Sequence, residues 1–326
     1  MMPRTRLLLL ATGDTIAYSY GPPKLATGAE LLAMIPSGEV AADVVAEDVM
    51  VEPSWDLSPS AMLALARRAR AAILDEGFDG VVITHGADTM EDTAFLTDLM
   101  AGPAARQGTI VLTGALRALD DPASDGLRNL ASALAAAADP VLRGAGAVVC
   151  LDGEVHAARW VTQVDAARAP AFASAPLLGR LTPRSGARKV EMLAVPPPRP
   201  PDPRGEPESH VALIKTYPDI DPVLLTAVVD AGARGVVLEG TGAGNVPVTL
   251  FAAISELSDW DIPVVVASRC RTLDTPLDAL PPATGLAGTV GAIGARGLAA
   301  VKARAALMVA LGSGGRGAVR EWFGRL

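Results

Sequence analysis

The sequence predicts an α/β protein: two three-layer α/β/α domains of mostly parallel sheet, joined by a proline-rich segment. Three observations lead there. Short apolar runs alternate with helix-like runs along most of the chain. The alternation stops in a cluster of prolines at 195–207 and then resumes. The chain has 326 residues, 50% hydrophobic and 20% charged, enough length and apolar content for two cores. Continuous apolar strands separated by helices belong to a parallel sheet covered on both faces.

The elements follow in order. Residues 7–11 form the first strand. The six residues before it look like the start of a secretion signal. The apolar run is too short for one, however, and passes into Thr12-Gly13-Asp14 without a small-residue cleavage site. Thr27 and Glu30 have capping-box spacing before a short helix over 31–35, which Pro36 ends. Ser58 and Pro59 supply an N-cap and an N1 proline for a helix through Ile73. A β-branched strand over 80–84 runs into a His-Gly turn, and a helix over 91–100 follows. A strand at 109–113, a helix at 127–138 and a strand at 145–151 complete a first domain over 1–194. The linker, 195–207, is too rich in proline to build a core. In the second domain, 208–326, strands at 211–215, 235–239 and 264–267 alternate with helices at 221–231, 248–257 and 297–311. No internal repeat is present.

Composition excludes several functions. The net charge is −8 and no basic run exceeds Arg67-Arg68, so a nucleic-acid surface is not expected. No apolar run reaches the ~18 residues of a membrane span. No membrane association is expected, and the protein is expected in the cytoplasm. Two cysteines and three histidines rule out a disulfide framework and a Cys/His-rich metal site; no metal and no cofactor are expected. Cys150 and Cys270 both adjoin strand-like runs and read as buried apolar fillers.

In an open parallel sheet the chemistry sits in loops at the carboxyl ends of strands. Five loops qualify: 12–20, 53–56, 84–91, 113–125 and 240–245. In Ala11-Thr12-Gly13-Asp14-Thr15-Ile16-Ala17 a threonine after the strand presents a hydroxyl at the sheet edge. That hydroxyl is either a nucleophile, if a neighbour activates it, or a strand-ending side-chain bond. Thr84-His85-Gly86-Ala87-Asp88-Thr89-Met90-Glu91-Asp92 places Asp88 on a loop facing a ligand. Glu91 and Asp92 complement a helix dipole, and His85 reads as a structural bond-maker. Asp125 reads as the N-cap of the helix that follows it.

Taken in this order, these motifs resemble the bacterial-type L-asparaginase/glutaminase family. The resemblance extends through Pro53-Ser54-Trp55-Asp56, the proline-rich linker, Gly240-Thr241-Gly242-Ala243-Gly244-Asn245, Val266-Ala267-Ser268-Arg269 and Lys302-Ala303-Arg304. It implies a larger N-terminal and a smaller C-terminal α/β domain. It also implies a homo-oligomer with active sites at subunit interfaces, and side-chain amide hydrolysis through an acyl-enzyme without metal or cofactor. By the same resemblance Thr15 is the nucleophile, Ser54 and Asp88 hold the α-carboxylate and α-amino groups of a substrate, and Asn245 reaches a neighbouring subunit's site. Tyr18 and Tyr20 fall in a loop that acts as a lid in the family, where a tyrosine helps activate the nucleophile.

The departures from the family pattern fall on the chemistry. Asp14 stands where the first motif has its second glycine. Ala87 replaces a threonine, and Gln163 occupies the place of the lysine that completes a triad with it. Glutamine has no titratable proton, so it cannot act as the base. Trp55 replaces a glutamine or glutamate and offers a flat apolar wall. The only acids in 273–288 are Asp274 and Asp278. Of the four lysines (Lys24, Lys189, Lys215, Lys302), none falls at the catalytic position. Three functions fit. One is an amidohydrolase or acyl-transfer enzyme acting through Thr15 on a small carboxylate or amide substrate other than plain asparagine. A second is the same fold repurposed for cyclisation, elimination or dehydration with Asp14 as base. The third is a non-catalytic ligand-binding homologue.

Overall fold

The computed structural model describes residues 4–184, 187–270 and 285–326. The chain divides into two units, Met1–Arg199 and Pro200–Leu326.

In the first unit, β1 (Thr5–Ala11) is followed by a small hairpin of β2 (Tyr18–Tyr20) and β3 (Pro23–Leu25). Then come α1 (Gly28–Ala33), β4 (Ala42–Asp48), α2 (Pro59–Leu74), β5 (Gly80–Thr84), α3 (Met90–Ala101), α4 (Ala104–Gln107), β6 (Thr109–Thr113), α5 (Gly126–Ala137) and β7 (Ala147–Leu151). The unit closes with β8 (Glu154–Ala157), β9 (Thr162–Gln163), β10 (Phe172–Ala173), β11 (Gly179–Arg184) and β12 (Ala187–Met192). Eight strands form one sheet, ordered β12-β11-β8-β7-β6-β5-β1-β4. From β4 to β7 the pairs are parallel; β8, β11 and β12 extend the sheet antiparallel.

The leucine run of β1 explains why this strand is central. Leu8 and Leu10 pack with Leu65, Ala69 and Ile83 on one face, and Leu7 and Leu9 pack with Leu130 and Leu134 on the other. All four are essentially buried. Each contributes roughly 1.5–3 kcal/mol relative to an exposed leucine, which is why both faces must be covered. The capping box of Thr27 and Glu30 opens α1, and Ser58 caps α2 with Pro59 at its first turn.

In the second unit, β13 (Val211–Lys215), α6 (Val223–Asp230), β14 (Gly235–Gly240), α7 (Phe251–Asp259), β15 (Val264–Ser268), β16 (Ile293–Gly294), α8 (Ala300–Gly314) and α9 (Val319–Gly324) follow in order. The four strands make a parallel sheet, β13-β14-β15-β16. The sequence places a helix over 248–257; a 3-10 turn occupies Val248–Leu250 and α7 continues to Asp259. Among the described residues no helix is long and apolar enough to cross a membrane.

Two expectations are corrected. Both cysteines are free, and only Cys150 is buried; Cys270 is exposed just beyond β15. Burial pushes the Cys150 thiol up to about 12. Asp125 stands at the N-cap of α5 but makes no capping bond. Its carboxylate instead accepts from Leu116 N and Arg117 N and from the Asn129 amide, because those loop N–H groups have no strand to pair with.

Candidate active site

The site forms where the parallel strands β1, β4 and β5 end. β1 stops because Thr12 turns its bonds sideways. Its N–H donates to Thr84 Oγ1 at 3.1 Å and its hydroxyl donates to Thr84 O at 2.6 Å. That hydroxyl is committed to ending the strand, which leaves Thr15 as the other hydroxyl of the motif. Gly13 and Asp14 then both take positive φ, +81° and +64°. Asparagine and aspartate tolerate this region better than most residues. The turn closes through Ala17 N to Asp14 O at 3.0 Å.

This turn folds the Asp14 side chain back over its neighbour. Oδ1 accepts from Thr15 N at 2.7 Å and from the Thr15 hydroxyl at 3.0 Å, while Oδ2 accepts from Ser54 N at 2.8 Å. Ser54 opens the 3-10 turn Ser54–Asp56 and is 1% exposed. Its carbonyl accepts from the Thr89 hydroxyl at 2.6 Å, tying the 54–56 turn to the loop before α3. Gly86 lies beneath both: a Cβ there would overlap Asp14 Oδ2 and Ser54 Oγ. Asp14, Thr15 and Ser54 are thus one constellation, with Gly86 as its floor.

His85 is wholly buried beside it. Its Nδ1 donates to Gly86 O at 2.8 Å, which fixes Nε2 as the acceptor for the Thr93 hydroxyl at 2.8 Å. Burial holds the imidazole below its ordinary pKa despite the nearby Asp14. A neutral ring with both nitrogens engaged braces the turn and does not serve as a base.

The remaining residues predicted from sequence are placed as follows. Ala87 is partly buried and Asp88 exposed on the turn after Gly86. Gln163 N donates to Glu91 Oε1 at 3.3 Å, so β9 lies against the first turn of α3. Trp55 is 68% exposed. Tyr18 and Tyr20 pack edge-to-face on one another, 5.0 Å between centroids, and Tyr20 is 73% exposed. Their hairpin is pinned by Asp120, whose carboxylate accepts from Tyr20 N and Gly21 N; these bonds hold it below the usual carboxylate range. Among the described residues the Thr15 hydroxyl bonds to Asp14, and to neither tyrosine. Asn245 belongs to the second unit, where its Oδ1 accepts from Gly285 N at 2.8 Å. Asp274 and Asp278 lie outside the described residues. Among the described residues no group of His, Cys, Asp and Glu is placed to hold a metal ion.

Two participants escape sequence reasoning. Thr89 stands at the N-cap of α3, yet it makes no capping bond and its hydroxyl reaches Ser54 O instead. Gly86 reads as a turn glycine; its role is to leave room for two side chains from distant loops.

Comparison with known proteins places the chain. The family model described as "Asparaginase, N-terminal" matches residues 6–192, and that of the "Glutaminase/Asparaginase C-terminal domain" matches residues 210–323. The chain belongs to the asparaginase family. A probable L-asparaginase of Deinococcus radiodurans is 33% identical over 316 residues, covering 95% of this chain and 94% of that protein. The probable cytoplasmic L-asparaginase of Campylobacter jejuni, a solved structure, superposes with a TM-score of 0.83 at 27% identity, covering 98% and 99% of the two chains. One polypeptide of the glutamyl-tRNA(Gln) amidotransferase of Aeropyrum pernix is 33% identical over 287 residues, covering 81% of this chain but only 65% of that longer relative. The two family models together cover both α/β units.

Proposed function

We propose that this chain is an amidohydrolase or acyl-transfer enzyme that works through Thr15 on a small amide substrate other than plain asparagine. One observation carries this reading: the Thr15 hydroxyl donates to a carboxylate, Asp14 Oδ1, at 3.0 Å. That is a nucleophile within hydrogen-bond reach of a base. Ala87 and Gln163 can supply neither a hydroxyl nor a charge, so the family's usual route to an activated threonine is lost. Asp14 offers another.

The chemistry follows from the geometry. Asp14 Oδ1 takes the Thr15 hydroxyl proton as Thr15 Oγ bonds to the substrate carbonyl carbon. The C–N bond breaks, the nitrogen takes the proton back from Asp14, and ammonia or an amine leaves. Water, deprotonated by the same carboxylate, then attacks the Thr15 ester; the bond to Thr15 Oγ breaks, Asp14 returns the proton to that oxygen, and the acid leaves. Through both steps Oδ2 stays anchored by Ser54 N, so the base keeps its orientation.

Asp88 and Trp55 face the substrate in this reading, Tyr18 and Tyr20 cover it when the hairpin closes, and no cofactor is involved. The protein works as a homo-oligomer in the cytoplasm, with Asn245 offered to a neighbouring copy. The C. jejuni relative, described as cytoplasmic, supports the location.

Ammonia release from a panel of primary amides tests the proposal, with Thr15→Ala in parallel. Turnover abolished by Thr15→Ala is expected. Turnover that survives Thr15→Ala but not Asp14→Asn would give the chemistry to Asp14, as in elimination or cyclisation. A ligand that raises the melting temperature with no turnover of any amide would make the protein a binding homologue.

A further inference from the structure

Asp14 does more than face Thr15. Two backbone N–H groups from separate loops, Thr15 N at 2.7 Å and Ser54 N at 2.8 Å, converge on its carboxylate. Converging N–H groups of this kind make an anion-binding concavity. The Ser54 hydroxyl is buried against the same spot and has no hydrogen-bond partner among the described residues. A buried hydroxyl that no protein group uses is a third donor beside the two N–H groups. Gly86 completes the slot, since any side chain there would overlap both Asp14 Oδ2 and Ser54 Oγ. The slot therefore has the donors and the size for a carboxylate, and a carboxylate is in it. It arrives from the chain itself, on a residue whose φ of +64° glycine would adopt without strain.

We propose that Asp14 is a tethered anion that fills a carboxylate slot from within, so that the pocket takes carboxamides bearing no free carboxylate at that position. A second carboxylate beside Asp14 would meet a like charge at contact distance and find both N–H groups already engaged. The substrate class rests on Thr15 as the nucleophile; the filled slot does not, and the test below reads binding alone.

The test is a calorimetric titration of the full chain with succinate and with L-aspartate. The chain with Asp14 is expected to bind neither at millimolar ligand. Asp14→Gly empties the slot, and binding should tighten at least about tenfold, since one charge-assisted hydrogen bond is worth that much. Asp14→Asn keeps the slot filled with a group of the same shape and should gain nothing. Adding Ser54→Ala to Asp14→Gly should remove most of the gain. If Asp14→Gly does not fold, Asp14→Ser, which shortens the side chain by the carboxylate, takes its place. Equal binding by the parent and the opened variant overturns the proposal. So does a folded opened variant that binds neither acid, or a gain that survives Ser54→Ala undiminished. Because none of these outcomes requires turnover, a failure here is distinct from a failure of the Thr15 chemistry.

Discussion

Replacing Asp14 with asparagine separates its chemistry from its shape. The amide has nearly the same volume, but its oxygen is a very weak base. The proton that the Thr15 hydroxyl directs at Oδ1 over 3.0 Å then has no acceptor to move to. A positioned base contributes about 10²–10⁴ in rate, or roughly 2.7–5.4 kcal/mol of barrier. The turnover number for any amide substrate should fall by that factor. The structural cost is smaller. Asp14 accepts three hydrogen bonds on its two oxygens. In the amide one side becomes NH2 and meets Thr15 N or Ser54 N, donor against donor, at a cost of about 1–3 kcal/mol. Saturating ammonia-release rates and thermal melts on one preparation distinguish the two effects. A folded Asp14→Asn protein that works within a few-fold of the parent refutes Asp14 as the base.

Other consequences can be checked in the same way. Gly86→Ala puts a methyl where Asp14 Oδ2 and Ser54 Oγ lie and should destabilise the fold by about 1–3 kcal/mol in urea titration, with loss of activity. His85 stays neutral in the folded chain because burial lowers its pKa, whereas the unfolded chain protonates it near the ordinary value of about 6.5. Its contribution to stability is therefore complete above that pH and is lost as pH falls toward the lowered folded value, with a slope of up to about 1.4 kcal/mol per pH unit. Urea midpoints from about pH 7 to 5 should show this slope, and His85→Gln should flatten it; equal slopes would contradict a buried neutral ring. Ala87→Thr with Gln163→Lys restores the side chains found in the family. It should leave L-asparagine unhydrolysed while Asp14 remains, and adding Asp14→Gly should be required for ammonia release.

The strands that carry the site are legible because burial on both faces leaves little choice of residue. The runs Leu7–Leu10 in β1, Val81–Ile83 in β5 and Ile110–Leu112 in β6 are continuous apolar stretches, and their ends mark the loops where the chemistry lies. What escapes notice is the sheet's periphery. β4, at one edge, places Asp43, Glu47 and Asp48 within the strand and alternates half-buried with exposed residues. β11 and β12, at the other edge, carry Arg180, Thr182, Arg188, Lys189 and Glu191, polar enough to pass for loop. At the site the sequence brings Asp14 next to Thr15, but the bond to Ser54 spans forty positions and depends on two loops meeting. Nothing local in Thr89 distinguishes an N-cap from a residue that holds Ser54. Asp125 shows the same limit: which N–H groups a side chain serves is set by tertiary demand, and capping preference is only a prior.

Turnover through Thr15 requires that its hydroxyl become acylated. Wild-type chain, mixed with a turned-over amide and quenched in acid within the first turnovers, can be digested and its 12–20 peptide weighed. A mass increase equal to the acyl group, localised to Thr15 and absent from Thr15→Ala, is the expected result. Steady turnover with an unmodified peptide, undiminished by Thr15→Ala, would contradict it.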